Sequence, residues 1–496
     1  MDLLLIRKGN SIELIRPGNM EFDLRFTESV RSLLSYTYKA RTRSGKLEEE
    51  TRYMCAVSDD RKSMCFSFGL LSKTVSFLKA QGHNVWLKTD TDADKRYDKL
   101  TPVLDGITPD KFRPRQEECF RAILDNPCGV VQAPMGFGKT YLLGLLCNAF
   151  PNEKIHICTK SVKLVKEIYS RLKNVVDSIG MVGGGKKDLD CRVTVFTADS
   201  LEYSDGDAAF LFFDECHTAA APTYVQKIMY IYKYSRKYGF TATPQGRGDG
   251  ADALLEMLFG PLIFSMTYDQ GVDAGLVSKI KVRWLQCHFY PNKGLNCTSQ
   301  VFRNRYCIWE NDTRNKLIAQ DVHEHYNDDT KVLILVSTVA HAFALQRYLP
   351  DFQLNYATIP TDTLKDFIKK GWCDESFKPM NTKDKEQLFQ DFLSGKVTKV
   401  ISTDVWNTGI DVPDLFVVYN VSGRVSKILN TQGAGRASRL FSGKDYGQVV
   451  DIRDNCAEYS GFSYSRYNLY RKLGWEQTGF YSDGMTNGTG RIQPQN

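Results

Sequence analysis

Residues 128–141 read Cys-Gly-Val-Val-Gln-Ala-Pro-Met-Gly-Phe-Gly-Lys-Thr-Tyr. An apolar run enters a glycine turn, the turn closes on Gly138-Lys139-Thr140, and a helical pattern follows. In such a turn backbone N–H groups close around phosphate oxygens, a lysine neutralises them and a hydroxyl completes the shell of a magnesium ion. The reading makes Pro134, Gly136 and Gly138 the backbone cradle, Lys139 the counter-charge and Thr140 the metal ligand for a nucleoside triphosphate. Ala133 stands where the strict G-x-x-x-x-G-K-[ST] string has its first glycine, so the turn depends on the rest of the chain for support.

That support comes from the flanks. From Thr108 to Val277 short apolar strands alternate with helical stretches, at Gly129–Gln132, Ile155–Thr159, Val193–Thr197, Ala209–Phe213 and Tyr238–Thr241. This alternation predicts βαβ units on a parallel sheet. A second series starts near Lys281 and becomes clear at Val332–Ser337, Lys399–Thr403, Phe416–Asn420 and Gln448–Ile452. The expectation is an α/β chain with two tandem parallel-sheet domains, 109–277 and 278–455. A small α+β accessory domain, 1–108, precedes them, and a short helical extension with a loose tail, 456–496, follows. Residues 269–314 show little periodicity.

In the accessory segment, Leu3–Ile6 and Ile12–Ile15 predict a hairpin, Glu21–Ser35 a helix, Tyr36–Arg43 and Thr51–Val57 strands, Ser67–Ala80 a helix and Asn84–Lys88 a strand. Arg31, Lys39, Arg41, Arg43 and Lys46 fall in a run without an acid, interleaved with Tyr36 and Tyr38. Such a run is either a face for a phosphate backbone, with Arg41 and Arg43 as contacts, or a solvated basic hairpin. Residues 89–99, crowded with Asp and Lys, read as a linker.

The 496 residues suffice for about three or four domains, each able to bury its own core. An apolar fraction of 42% and a charged fraction of 25% are those of a globular chain. The thirteen cysteines include no C-x-x-C pair, and several sit in apolar runs, which predicts reduced, packed thiols and a cytoplasmic setting. Nowhere do about 18 apolar residues run together, so no spanning helix and no membrane partner are expected. The formal charge of +7 permits a polyanionic partner without requiring one.

At the end of the strand over 208–213 lies Asp214-Glu215-Cys216-His217. Two carboxylates at a strand end, downstream of a phosphate-binding turn, suit nucleotide hydrolysis. Asp214 would hold magnesium, and Glu215 would take a proton from the attacking water. Farther on, Arg436 and Arg439, three apart, fall on one face of a helix and could reach a γ-phosphate together.

With these residues in place, the chain resembles the superfamily-2 helicases over about residues 112–440. Phe112-Arg113-Pro114-Arg115-Gln116 resembles the segment that reads adenine, which implies Arg113 and Gln116 as nucleotide contacts. Ala133–Thr140 is similar to motif I, where alanine at the first position is normal. Thr159-Lys160-Ser161 and Phe196-Thr197-Ala198 resemble strand-contacting motifs, Asp214–His217 motif II, and Thr241-Ala242-Thr243-Pro244 motif III. In the second half Leu335-Val336-Ser337 resembles motif IV, and Thr403-Asp404 through Thr408-Gly409-Ile410-Asp411 resembles motif V. Gln432–Arg439 resembles motif VI.

The resemblance implies two RecA-like domains and an ATPase using ATP and Mg²⁺. It implies a catalytic set of Lys139, Asp214, Glu215, Gln432, Arg436 and Arg439, with Gly409 and Asp411 near the nucleotide. Nucleic-acid contacts are implied at Thr159, Lys160, Thr197, Ser337 and Thr403. Within the superfamily, Tyr268–Leu276 is similar to double-strand translocases, and Arg466–Trp475 resembles the C-terminal helix of the phage UvsW group. That group implies a monomeric DNA helicase acting on forks, four-way junctions and R-loops, in recombination, replication or repair. An RNA or RNA–DNA helicase is the first alternative. A non-catalytic nucleic-acid-binding protein on the same scaffold is the second, and the intact Lys139, Asp214, Glu215, Arg436 and Arg439 argue against it.

Overall fold

The computed structural model describes residues 1–41, 47–89, 100–242, 252–288, 290, 292–403, 406, 412–424, 433 and 435–481. The chain divides into two compact units, 1–271 and 272–496.

In the first unit, strands β1 (Asp2–Lys8) and β2 (Ser11–Ile15) form the expected hairpin, with Leu4 opposite Ile15. Strands β3 (Ser35–Arg41) and β4 (Leu47–Tyr53) pair only with each other among the described residues. With β5 (Cys55–Val57), β6 (Ser63–Ser67) and β7 (Asn84–Thr89), the first hairpin completes a sheet of order β5-β6-β2-β1-β7. Alternate side chains point inward as a strand requires. Leu3, Leu5, Ile12 and Leu14 are buried against Phe26 and Val30 of helix Leu24–Leu33 and Leu78 of helix Leu71–Ala80. The first helix starts three residues later than its apolar pattern suggests, because the Asp23 carboxylate accepts from Phe26 N at 2.8 Å and caps it there. The sheet packs against the rest of the unit: Ser67 Oγ donates to Met257 O at 2.5 Å, and Asn10 Nδ2 donates to Tyr232 O.

The larger sheet of this unit contains β8 (Gly129–Gln132), β9 (Ile155–Thr159), β10 (Ile179–Gly183), β11 (Lys186–Lys187) and β12 (Val193–Thr197). It is completed by β13 (Phe210–Asp214), β14 (Arg236–Thr241) and β15 (Leu262–Ser265), in the order β11-β10-β12-β9-β13-β14-β8-β15. All of its pairs are parallel except β10–β11. Helices cover both faces of such a sheet, so its strands read as unbroken apolar runs; every residue of β9, β12 and β13 is buried. Cys158 and Cys216 lie in this core, and burial pushes both thiols well above their ordinary range.

The second unit holds β16 (Lys279–Cys287), β17 (Val332–Leu335), β18 (Gln353–Asn355) and β19 (Lys399–Ser402). With β20 (Val417–Asn420), β21 (Tyr446–Asp454) and β22 (Glu476–Thr478) they form a parallel sheet of order β18-β19-β17-β20-β21-β16-β22. The extension expected after residue 455 is built into this sheet. Helix Ala457–Lys472 buries Arg466 and Tyr470, and β22 pairs in parallel with β16, Lys281 opposite Glu476. The low periodicity of 269–314 has a physical reason. Apart from β16, the stretch is made of pieces such as helices Asn292–Leu295 and Gln300–Asn304 and the turn Arg305–Trp309, each too short to show a repeat. Both units are thus mixed α/β bodies on parallel sheets.

Candidate functional site

Parallel sheets bind ligands beyond the carboxyl ends of their strands, and the predicted residues of the first unit gather there. Strand β8 leads into the glycine turn, and helix Lys139–Ala149 begins directly after it. Gly136 and Gly138 have φ of 89° and 86°, open to glycine and strained for other residues. A Cβ at Gly138 would also lie 2.6 Å from Gln116 Nε2. Gln116 is fully buried; its Nε2 donates to Phe137 O at 2.6 Å and its Oε1 accepts from Arg113 N at 2.9 Å. The residue expected at the adenine therefore braces the turn from beneath, and Arg113 is exposed beside it. Pro134 O accepts from Phe137 N at 3.3 Å, closing the turn. Lys139 Nζ rests on Ala133 O at 3.4 Å, and Thr140 is half-buried in the first turn of the helix.

Two strands away, β13 ends in Asp214. Asp214 is 9% exposed, and its Oδ1 has no hydrogen-bond partner among the described residues. Burial first, then the charge of Glu215, raises its pKa to about 7, while Lys139 pulls the other way. Glu215 sits in the left-handed region, φ 54°, ψ 48°, which turns the chain so that consecutive acids serve different neighbours. Its Oε2 lies 3.4 Å from His217 Nδ1, and the same nitrogen lies 3.1 Å from Thr241 Oγ1 at the end of β14. His217 is thus the link between the D-E-x-H turn and the end of β14. The signal for it was the adjacency of β13 and β14, which only the fold supplies.

The donor set fits a magnesium nucleotide. A buried carboxylate oxygen with no partner among the described residues, a hydroxyl at a helix start and an ammonium beside a backbone carbonyl lie around a turn whose glycines admit phosphate.

Farther along the edge, Thr159 and Thr197 are register partners at the ends of β9 and β12, 0% and 4% exposed; Thr197 Oγ1 donates to Ser200 Oγ at 2.7 Å. Both hydroxyl-bearing side chains are buried at the strand ends. What the edge presents is exposed Lys160 and, from the last residue of β10, the glycine run Gly183-Gly184-Gly185 with φ of 138°, 61° and 87°, followed by exposed Lys186 and Lys187. That run was missed. Three glycines before two lysines at a strand end was the signal.

In the second unit, Thr403 is 6% exposed and its N–H donates to Asn355 O at 3.0 Å. Ser337, half-buried after β17, donates Oγ to Ser422 O at 2.5 Å. The segment carrying the two arginines is a 3₁₀ turn, Gly435–Ser438, rather than an α-helix; Arg436 lies in it, 5% exposed, and Arg439 lies one residue beyond. Arg439 O accepts from Lys444 Nζ at 3.0 Å and from Ser278 Oγ at 3.2 Å. Gln432, Gly409, Asp411 and Arg43 lie outside the described residues.

In the accessory segment the basic run has acids across from it on the pairing strand. Strand β4 sets Glu48, Glu49 and Glu50 opposite Ala40, Lys39 and Tyr38, and Glu50 accepts from Tyr38 Oη. Arg31 pairs with Glu28 at 2.8 Å and stacks 4.1 Å from the Tyr53 ring. A window along the chain cannot see acids that antiparallel pairing brings across.

Comparison with known proteins agrees with this geometry. The family described as type III restriction enzyme, res subunit, matches residues 110–246, and the helicase conserved C-terminal domain matches 313–441. The chain is 24% identical over 358 residues to the DNA 3'-5' translocase XPB2 of Sulfurisphaera tokodaii, covering 66% of this chain and 79% of that protein. Among solved structures it is similar to the type ISP restriction-modification enzyme LlaBIII bound to DNA. There the TM-score is 0.50, identity 14%, and coverage 81% of this chain and 34% of that one. The crystal structure of T4 UvsW matches with TM-score 0.41, identity 17%, and coverage 96% and 99%. Two RecA-like parallel-sheet domains, matched in order by a restriction-motor family and a helicase family, place the chain among the superfamily-2 helicases, which are ATP-dependent enzymes.

Proposed function

We propose that this chain couples ATP hydrolysis to movement on DNA and remodels branched DNA such as forks, four-way junctions and R-loops. One observation carries the coupling. The nucleotide turn, the D-E-x-H turn and the ends of β9, β12 and β10 share one edge of one sheet, so a shift at Asp214 or Glu215 is felt one strand away at Lys160. The relatives support DNA as the track, since one is named a DNA translocase and another was solved on DNA. The choice of branched substrates rests on the likeness of Tyr268–Leu276 to double-strand translocases and of Arg466–Trp475 to the UvsW group.

Lys139 and the backbone of 134–138 bind the phosphates, and exposed Arg113 contacts the base. Thr140 and Asp214 would hold Mg²⁺, which when bound supplies positive charge to the phosphate oxygens. Glu215 receives the proton of the attacking water, with His217 fixing its carboxylate. Arg436 and Arg439 act on the γ-phosphate, and Gln432, Gly409 and Asp411, outside the described residues, keep the nucleotide-site roles that their motifs imply. Residues 1–108 serve as an accessory domain, 109–277 and 278–455 as the two motor domains, and 456–496 as an extension; the working form is a monomer.

The test is ATP turnover with single-stranded DNA, duplex DNA, a four-way junction and RNA side by side. The junction is expected to stimulate most and RNA least. Stronger stimulation by RNA would replace the DNA reading with that of an RNA helicase, and no stimulation by any polymer would remove the coupling.

A further inference from the structure

Strand β20 is followed by Val421-Ser422-Gly423-Arg424, which carries the chain toward the segment 433–439. Its carbonyls are taken up by side chains from three other parts of the second unit. Val421 O accepts from Arg314 Nη1 at 3.0 Å, Ser422 O from Ser337 Oγ at 2.5 Å, and Arg424 O from Arg466 Nη1 at 3.3 Å. Arg424 returns the contact, donating Nη2 to Ser337 O at 2.6 Å.

Arg466, in helix Ala457–Lys472, is 1% exposed. Its Nε donates to Asp451 Oδ1 and Oδ2 at 3.1 and 3.2 Å, and Nη2 donates to Ile452 O at 2.8 Å. Asp451, fully buried, also accepts from Tyr470 Oη at 2.8 Å and Asn420 Nδ2 at 3.0 Å, and Asn420 Oδ1 accepts from Ser422 Oγ at 3.0 Å. The C-terminal helix, the ends of β20 and β21 and the loop after β17 are therefore one bonded set.

A buried ion pair is a poor source of stability, because desolvation offsets most of its attraction. A guanidinium aimed at several fixed acceptors does define position narrowly. We propose that Arg466 and Arg424 are positioning residues, through which the C-terminal helix holds the Ser337 loop in the conformation that meets DNA. The inference rests on the reading of Ser337 as a nucleic-acid contact.

The test uses the full chain with Arg424→Gln, Arg424→Lys, Arg466→Lys and the Arg424→Gln/Arg466→Lys pair, titrated with a duplex bearing a single-stranded arm while ATP turnover is read. Arg424 is half-exposed, so its variants keep the fold even if Arg466→Lys does not. Arg424→Gln is expected to raise half-saturating DNA by about two- to tenfold, the worth of one hydrogen bond, with the KM for ATP unchanged. Arg424→Lys, still able to reach one carbonyl, recovers part of the loss. The pair loses less than the two single losses together, because both arginines act on one loop. Arg424→Gln that melts like the parent and keeps the parent's half-saturation overturns the inference. So does a loss that Arg424→Lys leaves in full and that raises the KM for ATP equally, which is general weakening. Ser337→Ala separates the two readings. If it weakens DNA binding while Arg424→Gln does not, only the positioning inference falls; if neither weakens it, Ser337 is no DNA contact.

Discussion

The two parallel sheets end in opposite ways. At the carboxyl edge of the first unit the turns are made of backbone: Gly136, Gly138 and Glu215 all have positive φ, and Asp214 Oδ1 has no partner among the described residues. At the ends of β20 and β21 in the second unit, buried ion pairs, Arg314–Asp454 at 2.8 Å and Arg466–Asp451 at 3.1 Å, take up the polar groups. A site for a small, highly charged ligand must keep donors open and accept strain until the ligand arrives. A loop that has only to be presented can be tied down in advance. Substitutions on the first edge should therefore cost activity at little cost in stability, and those on the second should cost position.

The largest expected effect is at Lys139. Its ammonium rests on the Ala133 carbonyl at the protein surface, so Lys139→Ala should abolish ATP turnover while the melting temperature holds. Normal turnover in the folded variant would remove the phosphate-turn assignment. Next come Arg436→Ala and Arg439→Ala, each expected to slow hydrolysis by about 10³ while nucleotide binding stays nearly intact, because their charge matters where the transition state forms. A nucleotide titration beside a turnover assay separates the two, and equal loss in both would mean that the arginines hold the ground state. Glu215→Gln should reduce turnover by about 10² and leave ATP bound, since Asp214 remains for the metal. If the variant fails to bind nucleotide, the roles of the two acids must be exchanged.

Asp214 offers a smaller effect read in stability. Its folded pKa of about 7 exceeds the roughly 3.9 of an unfolded aspartate, so between those values the folded state holds more protons, and stability without ligand falls as pH rises. Asp214→Asn removes that cost. The variant should melt about 2–4 °C above the parent at pH 8 for each kcal/mol relieved, with the difference vanishing near pH 4. A variant less stable at pH 8 would mean that the carboxylate is satisfied in the folded protein. The smallest effect is expected at the basic ribbon. With Glu48–Glu50 on the pairing strand, Arg41→Ala/Arg43→Ala should change the log–log salt slope of DNA binding by less than about one, whereas a drop of about two would restore both as phosphate contacts.

Most strands of the two parallel sheets were legible because burial on two faces writes an unbroken apolar run, as in Phe210–Phe213, whereas β10, β11, β15, β18 and β22, at or next to the sheet edges, were not; the phosphate turn was legible because glycine and lysine spacing is set by local geometry. What stayed hidden depends on pairing across the chain. The three glutamates opposite the basic run are one case, and the bracing of the turn by Gln116 is another. The burial of Thr159 and Thr197 and the use of His217 as a link are visible only once β9, β12, β13 and β14 are neighbours. The 3₁₀ turn at Gly435–Ser438 is a case of a residue spacing that two helix types share.

Glu215 carries a last consequence. Its backbone occupies a conformation that glycine adopts without cost, and the neighbouring Asp214 is a carboxylate that burial penalises. At both positions the residue expected to make the resting protein most durable is one that, on the proposed mechanism, slows hydrolysis. A library of variants selected for heat tolerance alone would drift toward glycine at 215 and asparagine at 214, whereas one selected for turnover would hold both acids. The divergence of the two populations at these adjacent positions measures how much stability the motor gives up in order to run.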